Sequence, residues 1–177
     1  NERRTGKRLA VDHENVKPDI LVLGKALSGG VYPVSAVLAD DRIMHVIKAG
    51  QHGSTFGGNP LAAAVAIEAL QVVKDERLAE NAARLGEIFR KEISNYIKTS
   101  KIATLVRGKG LLNAVVINDT EESDTAWNIC LKMRDNGLLA KPTHGNIIRF
   151  APPLVMNETE LRECIAIIIN ALKTFEK

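Results

Sequence analysis

Apolar positions along the chain change period several times, and the changes predict strands and helices in alternation. Residues 19–23 form a short apolar run after Pro18, and residues 32–38 form a Val-rich one. Apolarity without polar alternation predicts strands covered on both faces of a sheet. A Gly-rich stretch then leads to Asn59 and Pro60, an N-cap residue followed by a proline at the first helical position. Residues 61–73 are apolar nearly all round, so this helix is expected to be buried. Across residues 76–98, Leu78, Leu85, Ile88, Phe89, Ile93, Tyr96 and Ile97 recur at three-to-four spacing, with Lys, Arg and Glu between them. That spacing predicts a long surface helix bridging two domains.

Beyond it the pattern predicts a small α/β unit. Residues 111–117 read as a strand after the turn Arg107-Gly108-Lys109-Gly110, and residues 124–136 as a helix ended by Gly137. Residues 138–140 and 147–150 read as short strands joined through Pro142 and Gly145, and Pro152-Pro153 closes the second. A last helix begins at Asn157 with Glu160 at capping-box spacing, and its apolar face carries Leu161, Ile165, Ile168, Leu172 and Phe175. Residues 1–80 are expected to belong to one domain and residues 81–177 to a second.

Composition narrows the function. A length of 177 residues with 45% apolar residues supplies a packed core, and a net charge of +3 spread among 21 acidic residues argues against a nucleic-acid partner. Cys130 and Cys164 sit in amphipathic patterns and read as free thiols rather than a disulfide, which fits a reducing compartment. The longest apolar stretch is interrupted by Glu68 and is too short to cross a bilayer, so no membrane role is expected. The opening on Asn1 rather than Met, without a signal-type segment, reads as a fragment.

Three constellations carry candidate chemistry. Lys25 follows an apolar strand and precedes Ser28, Gly29 and Gly30, a place from which a backbone approaches a ligand closely. It reads either as a strand-end lysine snorkelling to solvent or as a Schiff-base lysine, which burial or a nearby cation must help to deprotonate. Ser54 and Thr55 lie in the stretch HGSTFGG (52–58), just before a helix start. Hydroxyls, glycine amides and a helix N-terminus are what a phosphate needs, and an ordinary mobile loop is the alternative. Arg149, on an apolar strand between Ile148 and Phe150, is expected to be withdrawn from bulk water and to require an anion. That anion is either a structural carboxylate or a substrate carboxylate held by two parallel hydrogen bonds. The four histidines have no ligand-like spacing, and no metal is inferred.

The stretches GKALSGG (24–30), YPVSAVLA (32–39), HGSTFGGNPLA (52–62), RGKGLLNA (107–114) and LLAKPTHGNIIRFAPPLV (138–155) together resemble class III aminotransferases, and within them the branch acting on ornithine. The resemblance implies a fold-type I architecture. Residues up to about 80 would end a large, mainly parallel doubly wound cofactor domain, and a small α/β C-terminal domain would follow. It implies pyridoxal 5'-phosphate as cofactor, with Lys25 as the lysine that carries it and then shuttles a proton. Ser54 and Thr55 would reach the phosphate of the other subunit's cofactor, implying a homodimer, and Arg149 would bind the α-carboxylate of the dicarboxylic substrate. The implied reaction moves the δ-amino group of ornithine to 2-oxoglutarate, giving glutamate semialdehyde and glutamate, in the mitochondrial matrix or the cytoplasm. Transfer from acetylornithine or 4-aminobutyrate, and a non-catalytic phosphate-binding or dimerisation module, are the alternatives. In the family an acidic partner for the pyridine nitrogen, a stacking aromatic residue and the main phosphate turn precede the position of Asn1, so the 177 residues alone are expected to be inactive. Residues 1–4 differ from the usual approach to an Arg-Thr-Gly motif, which Arg4-Thr5-Gly6 keep.

Overall fold

A computed structural model describes residues 4–176, so the departure at residues 1–3 lies outside the described residues. The chain divides into two compact units. One comprises Lys7–Arg77, and the other comprises Arg4–Gly6 with the chain from Leu78 onward.

The first unit contains a 3-10 turn, Ala10–His13, and a two-stranded antiparallel sheet of β1 (Ile20–Leu23) and β2 (Ala36–Ala39). It also holds the short helix α1 (Asp41–Met44) and the long helix α2 (Pro60–Asp75). The second strand begins four residues later than its Val-rich pattern predicts. Tyr32 has its backbone amide and carbonyl engaged by the Ser28 hydroxyl, and Pro33 has no N–H to give to a ladder. The pair is antiparallel, which a mainly parallel sheet accommodates as a mixed pairing.

Helix α2 begins as its sequence predicts, with Asn59 Oδ1 accepting from the Ala62 amide at 3.0 Å and Pro60 in the first turn. Its expected burial is not met. Within this chain only Ala62 and Ala66 of α2 are buried, while Leu61 and Ile67 are 59% and 68% exposed. β1 and β2 likewise leave Ile20, Val22, Val37 and Leu38 exposed. An all-round apolar pattern marks a helix made to be covered on every side, and the described residues of this unit do not cover it.

The second unit is a four-stranded antiparallel sheet, in the order β3-β4-β6-β5, backed by three helices. Its elements are α3 (Leu78–Ile97), β3 (Ala103–Lys109), β4 (Leu112–Ile117), α4 (Thr125–Asp135), β5 (Lys141–Thr143), β6 (Ile147–Phe150) and α5 (Glu158–Lys173). Strict alternation along β4 and β6 turns Val115, Ile117, Ile148 and Phe150 inward against Leu85, Phe89 and Ile93 of α3, Ile129 and Met133 of α4, and Leu161, Ile165 and Leu172 of α5. Almost the whole buried core of the chain lies here.

The hairpin between β3 and β4 turns on Gly110, whose φ of +52° at the first loop position suits a primed turn. Gly86 lets α3 lie directly on that turn: a Cβ there would fall 1.9 Å from the Gly110 carbonyl oxygen. Arg90 of α3 donates to the Gly110 carbonyl at 3.1 Å and to Asn113 Oδ1 at 2.9 Å, and buried Asn113 donates to the Gly110 carbonyl at 3.0 Å. Arg4 also belongs to this unit. Its guanidinium donates to the Pro152 carbonyl at 2.6 Å, and its own carbonyl accepts from the Leu111 amide at 2.9 Å.

Among the described residues no helix is long and apolar enough to cross a membrane. Cys130 is buried and Cys164 half-buried, both as free thiols, and burial pushes the Cys130 thiol up to about 11.

Candidate active site

Lys25 lies two residues beyond β1, and its backbone sits in the left-handed region at φ +58°. Only glycine adopts that conformation without cost, and non-glycine outliers of this kind gather at functional sites. Gly24 just before it is closely packed, since a Cβ there would stand 3.3 Å from the Ser35 Cβ. The turn after it is fixed by Leu27 and Ser28, both buried. The Gly29 amide donates to the Ala26 carbonyl at 3.0 Å, and Gly29 and Gly30 take φ values of +65° and +88°. Ser28 Oγ donates to the Tyr32 carbonyl and accepts from the Tyr32 amide. The Lys25 side chain projects from this braced turn as an exposed amine.

Tyr32 carries the bracing further. Its hydroxyl accepts from Asn59 Nδ2 at 3.3 Å, and Asn59 is also the N-cap of α2. The turn that holds Lys25 is therefore tied, through Ser28, Tyr32 and Asn59, to the end of the loop carrying Ser54 and Thr55. Neither Ser28 nor Tyr32 was singled out by sequence reasoning, and no local pattern marks a serine that brackets a tyrosine backbone four residues on. In the loop, Ser54 Oγ accepts from the Gly57 amide at 2.9 Å, and residues 51–58 are exposed. The donor set fits the two ends of pyridoxal phosphate: a primary amine for its aldehyde, and hydroxyls with glycine amides beside a helix start for its phosphate.

Arg149 lies in the second unit, in the middle of β6. The expectation that its head group is withdrawn from water is not met, because β6 turns Ile148 and Phe150 into the core and Arg149 onto the opposite, open face of the sheet, where it is exposed. It stands opposite Ala114 of β4 on one side and Lys141 of β5 on the other. No carboxylate pairs with it among the described residues, so its guanidinium fork is open to an external anion.

A cavity of about 300 Å³ in the same unit is lined by Leu138, Pro153, Cys164 and other mostly apolar groups, without Arg149. That cavity offers little polar chemistry. Among the described residues no three His, Cys, Asp or Glu side chains gather in a way that would hold a metal ion.

The aminotransferase class-III family model matches residues 3–172. The mitochondrial ornithine aminotransferase of Rattus norvegicus is 62% identical over 172 residues, covering 97% of this chain and 38% of that protein. Ornithine aminotransferase car2 of Schizosaccharomyces pombe is 58% identical over 170 residues, 96% of this chain and 38% of the relative. Among solved structures, the acetylornithine aminotransferase of Elizabethkingia anophelis superposes with a TM-score of 0.94 at 64% identity, over 98% of this chain and 43% of that one. The ornithine δ-aminotransferase of Plasmodium falciparum superposes with a TM-score of 0.90 at 49% identity, over 97% and 43%. The chain thus spans about two-fifths of the length of the relatives it matches. With a match over nearly all of its length, an α/β structure to go with it and the family's blocks in order, the chain belongs to the class III aminotransferases, a family dependent on pyridoxal phosphate.

Proposed function

We propose that these residues form the C-terminal part of a transaminase that moves the δ-amino group of L-ornithine to 2-oxoglutarate, giving glutamate 5-semialdehyde and glutamate. The observation that carries this reading is Lys25: a lysine in strained left-handed backbone, presented by a turn braced through Ser28 and Tyr32. The names of the relatives, from rat to fission yeast, support the amino donor. In this reading the first unit ends the large cofactor domain, and the second is the small domain.

When bound, pyridoxal phosphate supplies an electron sink for the electrons of the substrate C–H bond. Lys25 would supply the amine that holds the cofactor and, as a free amine, would move a proton from the substrate carbon to the cofactor. The fixed turn limits where Nζ reaches, which is what a stereospecific proton transfer requires. Ser54 and Thr55 offer hydroxyls to a phosphate, in a homodimer in which loop and lysine serve opposite sites. Arg149 takes a substrate carboxylate through two parallel N–H donors. Residence in the mitochondrial matrix is part of the proposal, supported by relatives named as mitochondrial.

A second reading, transfer from N-acetylornithine, is favoured by the name of the Elizabethkingia anophelis structure. The two are separated by offering each amine, with 2-oxoglutarate, to the full-length protein carrying this stretch and measuring glutamate formation. Faster turnover of ornithine, abolished by Lys25→Ala, is the expected result. Preference for N-acetylornithine would transfer the assignment to the second reading. Activity surviving Lys25→Ala would remove the lysine from both.

A further inference from the structure

Helix α2 supports the Lys25 turn at two separate places. Near the helix middle, Gly29 comes so close that a Cβ built on it would stand 3.5 Å from the Ala69 Cβ. At the helix start, Asn59 Nδ2 donates to the Tyr32 hydroxyl at 3.3 Å, while Asn59 Oδ1 caps the helix through the Ala62 amide. Asn59, Ala62, Ala66 and Ala69 follow one another at helical spacing, which puts them on one face of α2, and Ala62 and Ala66 are its buried residues. The two anchors lie ten residues apart in sequence, about 15 Å along the helix axis. A turn held at one point pivots on it, and a second point this far away removes most of that freedom. The shape of the turn comes from other bonds: the Gly29 amide donates to the Ala26 carbonyl, the Val31 amide to the Ser28 carbonyl, and Ser28 Oγ brackets the Tyr32 backbone. The Tyr32 hydroxyl takes no part in that shape; it ties the turn to the helix.

We propose that Tyr32 is a positioning residue: through its hydroxyl and Asn59 it fixes the direction in which the turn presents the Lys25 amine, and so sets the rate of proton transfer rather than the affinity for substrate. The inference rests on the reading of Lys25 as the lysine that carries the cofactor, and adds the group that aims it. Proton transfer slows steeply when the transferring groups are misplaced, whereas binding of substrate groups remote from the amine does not depend on where Nζ points. Loss of the Tyr32 hydroxyl therefore lowers kcat and leaves KM nearly unchanged.

The test uses the full-length protein carrying this stretch, as Tyr32→Phe, as Asn59→Ser and with both changes. Phenylalanine keeps the ring and serine keeps a capping oxygen, so each single change removes the bond between the two side chains and little else. In the cofactor-free protein, hydrogen exchange at the Gly29 and Val31 amides should be faster in Tyr32→Phe than in the parent, because a turn with one anchor opens at less cost. In the loaded protein, Tyr32→Phe should lower kcat about five-fold, within what one neutral hydrogen bond is worth, and hold KM for ornithine within about two-fold. Asn59→Ser should do the same, and the double variant should be no slower than either single one, the mark of two groups acting through one bond. Parental kcat or parental exchange in Tyr32→Phe, losses that multiply in the double variant, or a loss seen in KM alone overturns the inference. Lys25→Ala separates it from the reading beneath. Activity surviving that change removes the lysine and this inference with it, whereas parental kcat in Tyr32→Phe beside an inactive Lys25→Ala removes this inference alone.

Discussion

The proposal that Lys25 carries the cofactor rests on two kinds of observation, of which only one is written in the sequence. Its place after an apolar strand and before a Ser-Gly-Gly turn is legible there; the left-handed backbone and the bracing by Ser28 emerge only from three-dimensional structure. Ser28→Ala tests the bracing. It leaves the Tyr32 amide without its partner, and should cost about 1 to 2 kcal/mol in chemical denaturation of the first unit. Stability equal to the parent would show that the turn holds without the hydroxyl. Arg149 shows the reverse limit. Its apolar neighbours suggested burial, but on a sheet covered on one face alternation decides, and residues on either side of a buried position face water. Gly86 was invisible in the sequence because the contact that demands it, the Gly110 carbonyl, lies on another element. Gly86→Ala forces backbone against Cβ, and a loss of about 3 kcal/mol in the second unit's unfolding free energy is expected. An unchanged midpoint would mean that α3 does not lie this close to the hairpin.

Elements were legible where local chemistry and tertiary packing agree. Helix α5 starts at its capping box, with Asn157 Oδ1 accepting from the Glu160 amide at 3.0 Å and Glu160 accepting from the Asn157 amide at 2.9 Å. Asn157→Ala should lower stability by about 1 kcal/mol, measured by urea unfolding, and a neutral effect would contradict this cap. β3 was missed because its residues, with Gly108 and two cations toward one end, carry no clean alternation. The expected strand at 138–140 is displaced to Lys141–Thr143, since the Leu138 amide donates to the Met133 carbonyl to finish α4. Pro142 is tolerated there because β5 is an edge strand.

The chain's last described residue closes the same layer. Burial alone would raise the Glu176 carboxyl, but bonds from the Ser100 and Tyr96 hydroxyls and the Lys101 and Ile102 amides hold it below its ordinary value. A depressed carboxyl contributes stability above its unfolded pKa and loses it as pH falls through the lowered folded value. Glu176→Gln should therefore be less stable than the parent at neutral pH and show a flatter loss of melting temperature on acidification. Parallel acid limbs for the two chains would rule this contribution out.

At the scale of the whole molecule the two units differ in how much of their apolar surface they bury. The second holds nearly all of the core, whereas the first leaves Val22, Phe56 and Ile67 exposed at 70%, 79% and 68%. Amides of α3, β4 and α5 should therefore exchange with solvent more slowly than those of β1, β2 and α2, because local opening costs less where few apolar contacts are broken. Equal protection in both units would contradict that contrast. The alternation of strand and helix made the α/β class readable, and five sequence blocks made the family readable. The exposure of α2 was not readable, because a sequence states which faces are apolar and not what covers them.

The central claim, that Lys25 is the lysine that carries the cofactor, is tested most directly by covalent trapping. The full-length protein carrying this stretch would be reconstituted with pyridoxal phosphate, reduced with borohydride, digested and mapped by mass. The expected result is one dominant pyridoxyl-modified peptide, modified at Lys25 and absent from Lys25→Ala. Dominant modification at any other lysine, or an unchanged modified peptide pattern in Lys25→Ala, would contradict the account.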